Sequence, residues 1–187
     1  MTRQDKIIKT ASALFSERGY SAVSMRDLAE AIGIKAASIY NHVSSKQEIL
    51  SLIIIRTAEE FTEGMKVIAA SKNSALEKMK SIIEMHTRIT LNNTHALATL
   101  NQDWIHLVEP DLSYFKDMRK GYEQNIRKII KKGVKNKEFK KLDIEAMLFA
   151  TLSTLRSLYL WYPETNKKQE KKLIEQLQRL LIEGIGK

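Results

Sequence analysis

One stretch of the chain, residues 24–48, constrains the fold more than any other. Ser24 has the chemistry of a helix N-cap, and an aspartate three residues later suits the partly positive start of a helix. Gly33 then ends this first helix, because glycine adopts the left-handed backbone of a tight turn at little cost. Ala29 is small enough for a second helix to pack closely against the first. The stretch therefore predicts a helix-turn-helix motif over about residues 24–43.

The second helix of this motif is predicted to keep a short polar face. Ile34, Ile39 and Val43 would point inward, and the remaining positions carry small or hydrogen-bonding side chains. Small residues at the helix start let its N-terminal end enter a DNA major groove, where polar groups bond phosphates or base edges. The predicted DNA-contacting residues are Ser24, Lys35, Ala36, Ala37, Ser38, Tyr40, Asn41, His42 and Lys46.

A third helix is predicted to begin at Lys46, because Ser45 and Glu48 have the spacing of a capping box. This start places the Lys46 ammonium where it can meet a phosphate of DNA. A generic three-helix subdomain packed on something larger is the competing interpretation. It would not need a glycine turn, an alanine contact and a polar outer face together.

A set of residues in register resembles the DNA-binding domain of the tetracycline-repressor (TetR) family of bacterial transcriptional regulators. The set comprises Phe15, Gly19, Tyr20, Ser24, Leu28, Ala29, Gly33, Ile39, Tyr40 and Lys46. Two positions depart from the family pattern, since Val43 stands where phenylalanine is usual and Ala37 where glycine is frequent. Both preserve the chemical class of the position. The resemblance implies a two-domain, ligand-responsive repressor that binds palindromic operator DNA as a homodimer.

The composition favours an all-α protein. Seven glycines and two prolines in 187 residues leave few helix breakers, and 43% hydrophobic residues suffice for a substantial core. We expect an N-terminal three-helix domain over residues 1–45 and a helical ligand-binding and dimerisation bundle over residues 46–187. The absence of cysteine excludes disulfides and thiolate chemistry. The amphipathic start and the lack of a long apolar run predict a cytoplasmic protein with no membrane partner.

The net charge of +9 is unevenly distributed. Residues 1–46 carry +3, residues 47–115 carry −3, residues 116–141 carry +8 and residues 142–187 carry +1. Most of the excess thus lies outside the predicted DNA-binding motif, which makes basicity weaker evidence for DNA binding than the motif itself. The basic run 116–141 has three interpretations: a solvated helix face, a site for an anionic ligand, or an auxiliary nucleic-acid contact.

The last two predicted helices, over residues 143–162 and 167–184, are rich in leucine. The first has apolar residues on two sides, so that one side suits the core and another suits a partner. Pairing of both helices across a two-fold axis would give a four-helix dimer interface. The predicted interface residues are Leu148, Leu152, Leu155, Tyr159, Leu173, Leu177 and Leu181.

No catalytic or cofactor site is legible in the chain. His86, His95, His106 and Asp103 raise the question of a metal site, but no tight ligand spacing supports one, and core or surface polar residues are the alternative. No Ser-His-Asp order, glycine-rich phosphate loop or carboxylate pair appears either. We therefore expect neither an enzyme nor a bound cofactor or metal.

A second set of residues resembles the TetR-family regulators of fatty-acid and sterol-ring degradation, which bind acyl-CoA thioesters. It includes Tyr122, Ile130, Gly133, Phe139, Asp143 and the run Trp161-Tyr162-Pro163, where the subgroup has Trp-Tyr-Arg-Pro. This resemblance implies an acyl-CoA effector in the C-terminal bundle. Its predicted contacts are Met85, Trp104, Arg119, Tyr122, Arg127 and Phe149. Met85, Trp104, Tyr122 and Phe149 are of types that occur more often in a core than in the lining of a pocket. A cytosolic helical scaffold or carrier with a disused helix-turn-helix is the rival function.

Overall fold

The computed structural model describes residues 2–161 and 167–185, and all regular elements in these ranges are helices. The expected all-α class is confirmed. In chain order the helices are α1 (Arg3–Arg18), α2 (Met25–Ile32), α3 (Ala36–Ile39), α4 (Lys46–Ala70), α5 (Ala75–Asn92), α6 (Thr94–Asp103), a 3-10 turn (Trp104–His106), α7 (Asp111–Lys135), α8 (Ile144–Arg156), α9 (Leu158–Trp161) and α10 (Lys167–Ile185).

The first of two compact units comprises Met1–Glu59 and His95–Asp117. The spacing of Thr2 to Asp5, like that of Ser24 to Asp27, predicts a capping box, and both boxes are complete in the structure. These caps satisfy amide groups that would otherwise lack an intrahelical partner. The core of the unit consists of apolar side chains from α1 to α4, among them Ile7, Phe15, Leu28, Ile39, Ile49 and Leu50.

The second unit comprises Glu60–Thr94 and Met118–Lys187. Within it α10 packs along α5, burying Leu173 and Leu177. An ion pair of 3.2 Å between Arg88 and Glu170 joins the same two helices at their surface. Ser74 and Glu77 have the spacing that predicts a capping box, and this box starts α5. α5 also buries a row of side chains that face the core, namely Met79, Ile82, Ile83, His86 and Ile89.

Two predicted helices are shorter or interrupted in the structure. Pro110 predicts the end of a helix over residues 95–108, but this helix is regular only to Asp103, after which a 3-10 turn carries the chain to His106. The helix expected from Asp143 to Tyr162 is interrupted after Arg156 and resumes as α9, and the Leu160 amide donates to the Ser157 carbonyl three residues back. Tyr162 and Pro163, used in the sequence predictions, lie outside the described residues.

The two units are not divided at residue 45. The beginning of α4 and residues 95–117 group with the N-terminal helices. The division of the chain at residue 45 into a DNA-binding domain and a ligand-binding domain therefore stays a prediction about function. None of the helices within the described ranges is both long enough and apolar enough to cross a membrane.

Candidate functional site

The turn between α2 and α3 has the predicted geometry. The Asp27 carboxylate accepts the Ser24 hydroxyl at 2.5 Å and the Ser24 backbone N–H at 2.7 Å. These two bonds lower the pKa of Asp27, so the carboxylate stays ionised at the helix N-terminus. Gly33 adopts the left-handed conformation, with φ 77° and ψ 37°. The next amide, of Ile34, donates to the Ala29 carbonyl at 3.0 Å, which closes the turn.

The second helix of the motif, α3, is only four residues long. It continues as a turn in which the amide groups of His42 and Val43 both donate to the Ile39 carbonyl, at 3.0 and 3.2 Å. Ile39 and Val43 are buried as predicted, whereas Ile34 is half-buried. The motif thus keeps its inward anchors although the regular helix is shorter than predicted.

The outward side of α3 and its following turn is a polar surface, which we call the reading face. The structure brings the predicted residues of this face together: Ser38 is half-buried, and those that are exposed are Lys35, Ala36, Ala37, Tyr40, Asn41 and His42. The Ala36 and Ala37 side chains keep the helix start narrow, as entry into a major groove requires. Contact of each side chain with DNA stays a prediction.

The capping interaction at the start of α4 differs from the predicted box by one residue. The Ser45 hydroxyl accepts the Glu48 amide at 3.0 Å, as predicted. The Glu48 carboxylate, however, accepts the backbone and hydroxyl donors of Ser44, both at 2.6 Å. These bonds from Ser44 lower the pKa of Glu48. Both Ser44 donors bind the same oxygen of Glu48, so the carboxylate pairs with the residue before the N-cap Ser45.

Lys46, predicted to meet a phosphate, is engaged with the protein itself. Its ammonium donates to the carbonyl oxygens of Tyr20 at 2.9 Å and Val23 at 2.8 Å, and lies 4.3 Å from the centre of the Tyr20 ring. An ammonium has three N–H donors, so two of them hold the segment between α1 and α2. Contact between Lys46 and a phosphate stays a prediction, and the third N–H is the donor for it.

Tyr20 also connects this motif to the end of α6, within the first unit. Its hydroxyl donates to the Gln47 side chain at 2.9 Å, and Gln47 donates to the His106 carbonyl at 3.0 Å. The Tyr20 amide donates to the Asp103 carboxylate at 3.4 Å. Asp103 is buried, and burial raises its pKa. Sequence reasoning missed this network because its members lie up to 86 residues apart.

Among the predicted effector contacts, two are joined to one carboxylate in the second unit. Arg119 and Arg127 lie 3.4 and 3.8 Å from Glu123, the neighbour of Tyr122 on α7. Met85 is half-buried against Gly64, where a Cβ would collide with its sulfur. Of the remaining two residues, Trp104 belongs to the first unit and Phe149 is 73% exposed. The effector contacts stay predictions.

Tyr122 forms a buried polar pair that the sequence did not reveal. Its hydroxyl lies 2.6 Å from His86 Nε2, and the Phe61 ring packs against the imidazole with the ring centres 4.5 Å apart. Burial, with a smaller contribution from Arg156, lowers the pKa of His86 to about 3, and burial raises that of Tyr122. The pair is therefore neutral at physiological pH. Helical spacing alone would class both residues as core.

The residues of the predicted dimer interface differ in exposure, and the interface stays a prediction. Five of its side chains are buried inside the single chain, namely Leu148, Leu152, Leu155, Leu173 and Leu177. These five contribute to the core of the second unit. The same helices expose other large apolar side chains, each at least 67% accessible: Phe149, Leu160, Trp161 and Leu180. Tyr159 and Leu181 are half-buried.

The histidine and aspartate residues considered for a metal are engaged elsewhere. His86 bonds Tyr122, Asp103 bonds Tyr20, and the described residues contain no group of three His, Asp or Glu side chains placed to hold a metal ion. The lysines of the basic run are exposed on α7 and the segment after it. The three interpretations of that run stay open.

Two protein-family models match this chain. The model described as "Bacterial regulatory proteins, tetR family" matches residues 7–53, which include α2, the turn and α3. The model described as "Tetracyclin repressor-like, C-terminal domain" matches residues 72–185, which is more than half of the chain.

Known proteins with similar sequences and structures include transcriptional regulators. The transcriptional repressor KstR2 of Mycobacterium tuberculosis is 23% identical over 189 residues, covering 100% of this chain and 94% of the relative. The solved structure of the ketosteroid regulator KstR2 from the same organism matches with a TM-score of 0.93 at 21% identity, covering 100% of this chain and 96% of the other. A structure of AibR in complex with isovaleryl coenzyme A and operator DNA matches at 0.81 and 16% identity, covering 96% and 97%. At these identities the two structures support the fold.

Proposed function

Because this chain belongs to the tetracycline-repressor (TetR) family of bacterial regulatory proteins, we propose that it represses transcription by binding operator DNA through the reading face. The observation that carries this proposal is the division of α3 and its turn into two sides. Ile39 and Val43 anchor the segment in the core, while polar side chains cover the opposite, exposed side. Because the buried anchors fix the orientation of this segment, the same polar side chains face the major groove of the DNA.

Different residues of this surface have different roles in the proposal. Tyr40 and Lys46 bind phosphates and so position the protein without choosing a sequence. Lys35, Ser38 and Asn41 read base edges, since ammonium, hydroxyl and amide groups supply the donors and acceptors that distinguish base pairs in the major groove. Ser24, at the start of α2, and His42 complete the predicted contact set.

The protein acts as a homodimer in this proposal. One chain has one reading face, whereas a palindromic operator has two half-sites about 34 Å apart, which a two-fold dimer matches. The exposed apolar residues of α8 to α10, Phe149, Leu160, Trp161 and Leu180, are the surface that a second copy would cover. A DNA-binding regulator of this kind works in the bacterial cytoplasm.

We propose an acyl-CoA as the effector that releases DNA. The structure of AibR contains isovaleryl coenzyme A, and in this chain the arginines around Glu123 can meet phosphates. An effector releases DNA only as far as it binds the DNA-incompetent conformation more tightly. A coupling of about 1–3 kcal/mol would lower operator affinity about 5- to 150-fold.

Selection of genomic fragments by the purified protein tests DNA binding. We expect recovery of one palindromic sequence, bound with an affinity that falls steeply as salt rises. Recovery of no preferred sequence would overturn the proposal and favour a helical scaffold or carrier. Acyl-CoAs of graded chain length, titrated against the protein–operator complex, test the effector. Release at no chain length, with no thermal stabilisation of the protein, would overturn the acyl-CoA assignment alone.

A further inference from the structure

The core of the second unit contains polar groups that an apolar core would not need. His86 on α5 and Tyr122 on α7 are 5% and 8% exposed, and they share a hydrogen bond of 2.6 Å. The same two helices fill the core elsewhere with isoleucines such as Ile83 and Ile126. Burial of an imidazole and a phenol costs free energy that a phenylalanine at either position would avoid.

Thr90 adds a second buried polar group on the same side of α5. It follows His86 by four residues, so the two side chains lie one helical turn apart on one face. Thr90 is 1% exposed, and its hydroxyl has no hydrogen-bond partner among the described residues. A buried hydroxyl without a partner destabilises the folded protein. The Thr90 hydroxyl is therefore available to an acceptor atom of a bound molecule.

A flexible side chain, Met85, lies in the same part of the second unit. The methionine precedes His86 on α5 and occupies the room over Gly64 of α4, where any larger residue would collide with it. Phe61, one turn before Gly64, packs on the His86 ring. A methionine side chain is unbranched and flexible, so it can leave this space without a movement of either helix.

Arginines lie next to the buried pair. Arg156 of α8 bonds Glu123 at 2.9 Å, and its charge acts on both His86 and Tyr122. Arg127 bonds Glu145 through two nitrogens, at 2.7 and 2.8 Å. With Arg119, three guanidinium groups lie beside the carboxylates of Glu123 and Glu145. This juxtaposition fits a molecule with an apolar chain, a neutral polar group and an anionic end.

We propose that His86, Thr90 and Tyr122 form a carbonyl-recognition site, in which the Thr90 and Tyr122 hydroxyls donate to the thioester oxygen of an acyl-CoA. This inference rests on the proposed effector response. It adds that the protein recognises the ligand by hydrogen bonds to its thioester carbonyl. Tyr122 turns its O–H from His86 to the thioester oxygen, while the neutral tautomer of His86 with a proton on Nε2 donates to the phenol oxygen and keeps the ring oriented. The acyl chain takes the space that Met85 vacates.

Titration calorimetry on the full-length protein without DNA tests this site. The probes are decanoyl-CoA and S-decyl-CoA, a thioether of the same chain length that lacks the carbonyl oxygen. We expect the wild type to prefer the thioester about tenfold, as one or two neutral hydrogen bonds allow. Tyr122→Phe should reduce this preference below about twofold. Tyr114→Phe, which removes an exposed hydroxyl in the first unit, should keep it.

Thr90→Val separates ligand recognition from folding, because it should change the two in opposite directions. Removing the unpartnered hydroxyl should raise Tm of the free protein by about 2–4 °C, and the same change should weaken decanoyl-CoA binding several-fold. Equal wild-type affinity for the two probes, binding of neither probe, or an unchanged preference in Tyr122→Phe would overturn the proposal. So would unchanged thioester binding by Thr90→Val. Operator binding by the same variants without CoA is measured separately, so a failure of DNA binding is distinguishable.

Discussion

The ammonium of Lys46 lies 2.8 Å from the carbonyl oxygen of Val23, so the first residue of α4 holds the segment that leads into α2. A second bond, to the Tyr20 carbonyl, makes this a two-point attachment. The position of α2, and with it the turn and the reading face, therefore depends on a residue that was predicted only to touch DNA. Lys46 is both an internal brace and a candidate phosphate contact.

Lys46→Met should weaken binding to all operator sequences about equally. Loss of a phosphate contact lowers the salt slope of log Kd by about one, whereas loss of the brace alone lowers affinity without changing the slope. We expect both effects, measured by fluorescence anisotropy over a series of KCl concentrations. Lys66→Met removes an exposed lysine of the second unit and serves as the control. An unchanged slope in Lys46→Met would assign the residue to the brace only.

Asn41→Ala should relax sequence preference at one base pair of each half-site. An amide that bonds a base edge in the major groove discriminates by about 1–3 kcal/mol, and alanine lacks both its donor and its acceptor. Selection from a library of randomised operators measures this directly. Tyr40→Phe, which removes a predicted phosphate contact, should lower affinity with the preference intact. Loss of discrimination to the same extent in both variants would contradict the division of roles.

Gly33→Ala and Gly121→Ala should change stability in opposite directions. Gly33 has φ 77°, a conformation that costs a residue with a Cβ about 1–2 kcal/mol. Gly121 lies inside α7 with nothing within 4 Å of the place that an alanine Cβ would take, so alanine there should gain about 0.5–1 kcal/mol through lower backbone entropy. Thermal unfolding of the two variants checks the signs. Stabilisation by Gly33→Ala would contradict the left-handed turn.

Charged substitutions should have different effects on the proposed dimer surface and in the core of the second unit. Phe149→Asp and Leu180→Asp change exposed residues, and we expect folded monomers in analytical ultracentrifugation. Leu155→Asp buries a charge in the second unit and should lower the free energy of unfolding by about 3 kcal/mol or more. Circular dichroism on the same samples distinguishes the two results. Dimers that persist in both surface variants would place the interface elsewhere.

Asp103→Asn should stabilise the protein at neutral pH but not in acid. Burial raises the pKa of Asp103 in the folded state above the unfolded value of about 3.9, so the folded protein binds the proton more tightly. The wild type therefore loses stability as pH rises from about 3.9 through the folded-state pKa, and asparagine avoids this loss. Urea unfolding in acid, below the unfolded-state pKa, and at neutral pH measures the difference. An equal effect under both conditions would contradict the assigned cause.

Local sequence signals predicted much of the first unit and the start of α5 in the second. The caps of Thr2, Ser24 and Ser74 and the turn at Gly33 depend on residues at most five positions apart, so their chemistry is legible in the chain. The His86–Tyr122 bond joins residues 36 positions apart, and helical periodicity assigns both to the core without pairing them. Periodicity also could not decide which apolar side of α8 faces inward. In the structure the side with Leu148 and Leu155 faces inward, whereas Phe149 is exposed.

The division of α3 into buried anchors and an exposed reading face has a consequence for how this regulator can be retargeted. Lys35 and Asn41 are exposed, so new side chains there can be chosen for a new operator with little effect on folding. Ile39 and Val43 hold the scaffold independently of those choices. Libraries that randomise only the exposed positions should consequently yield mostly folded proteins, and successive changes of target need not accumulate loss of stability.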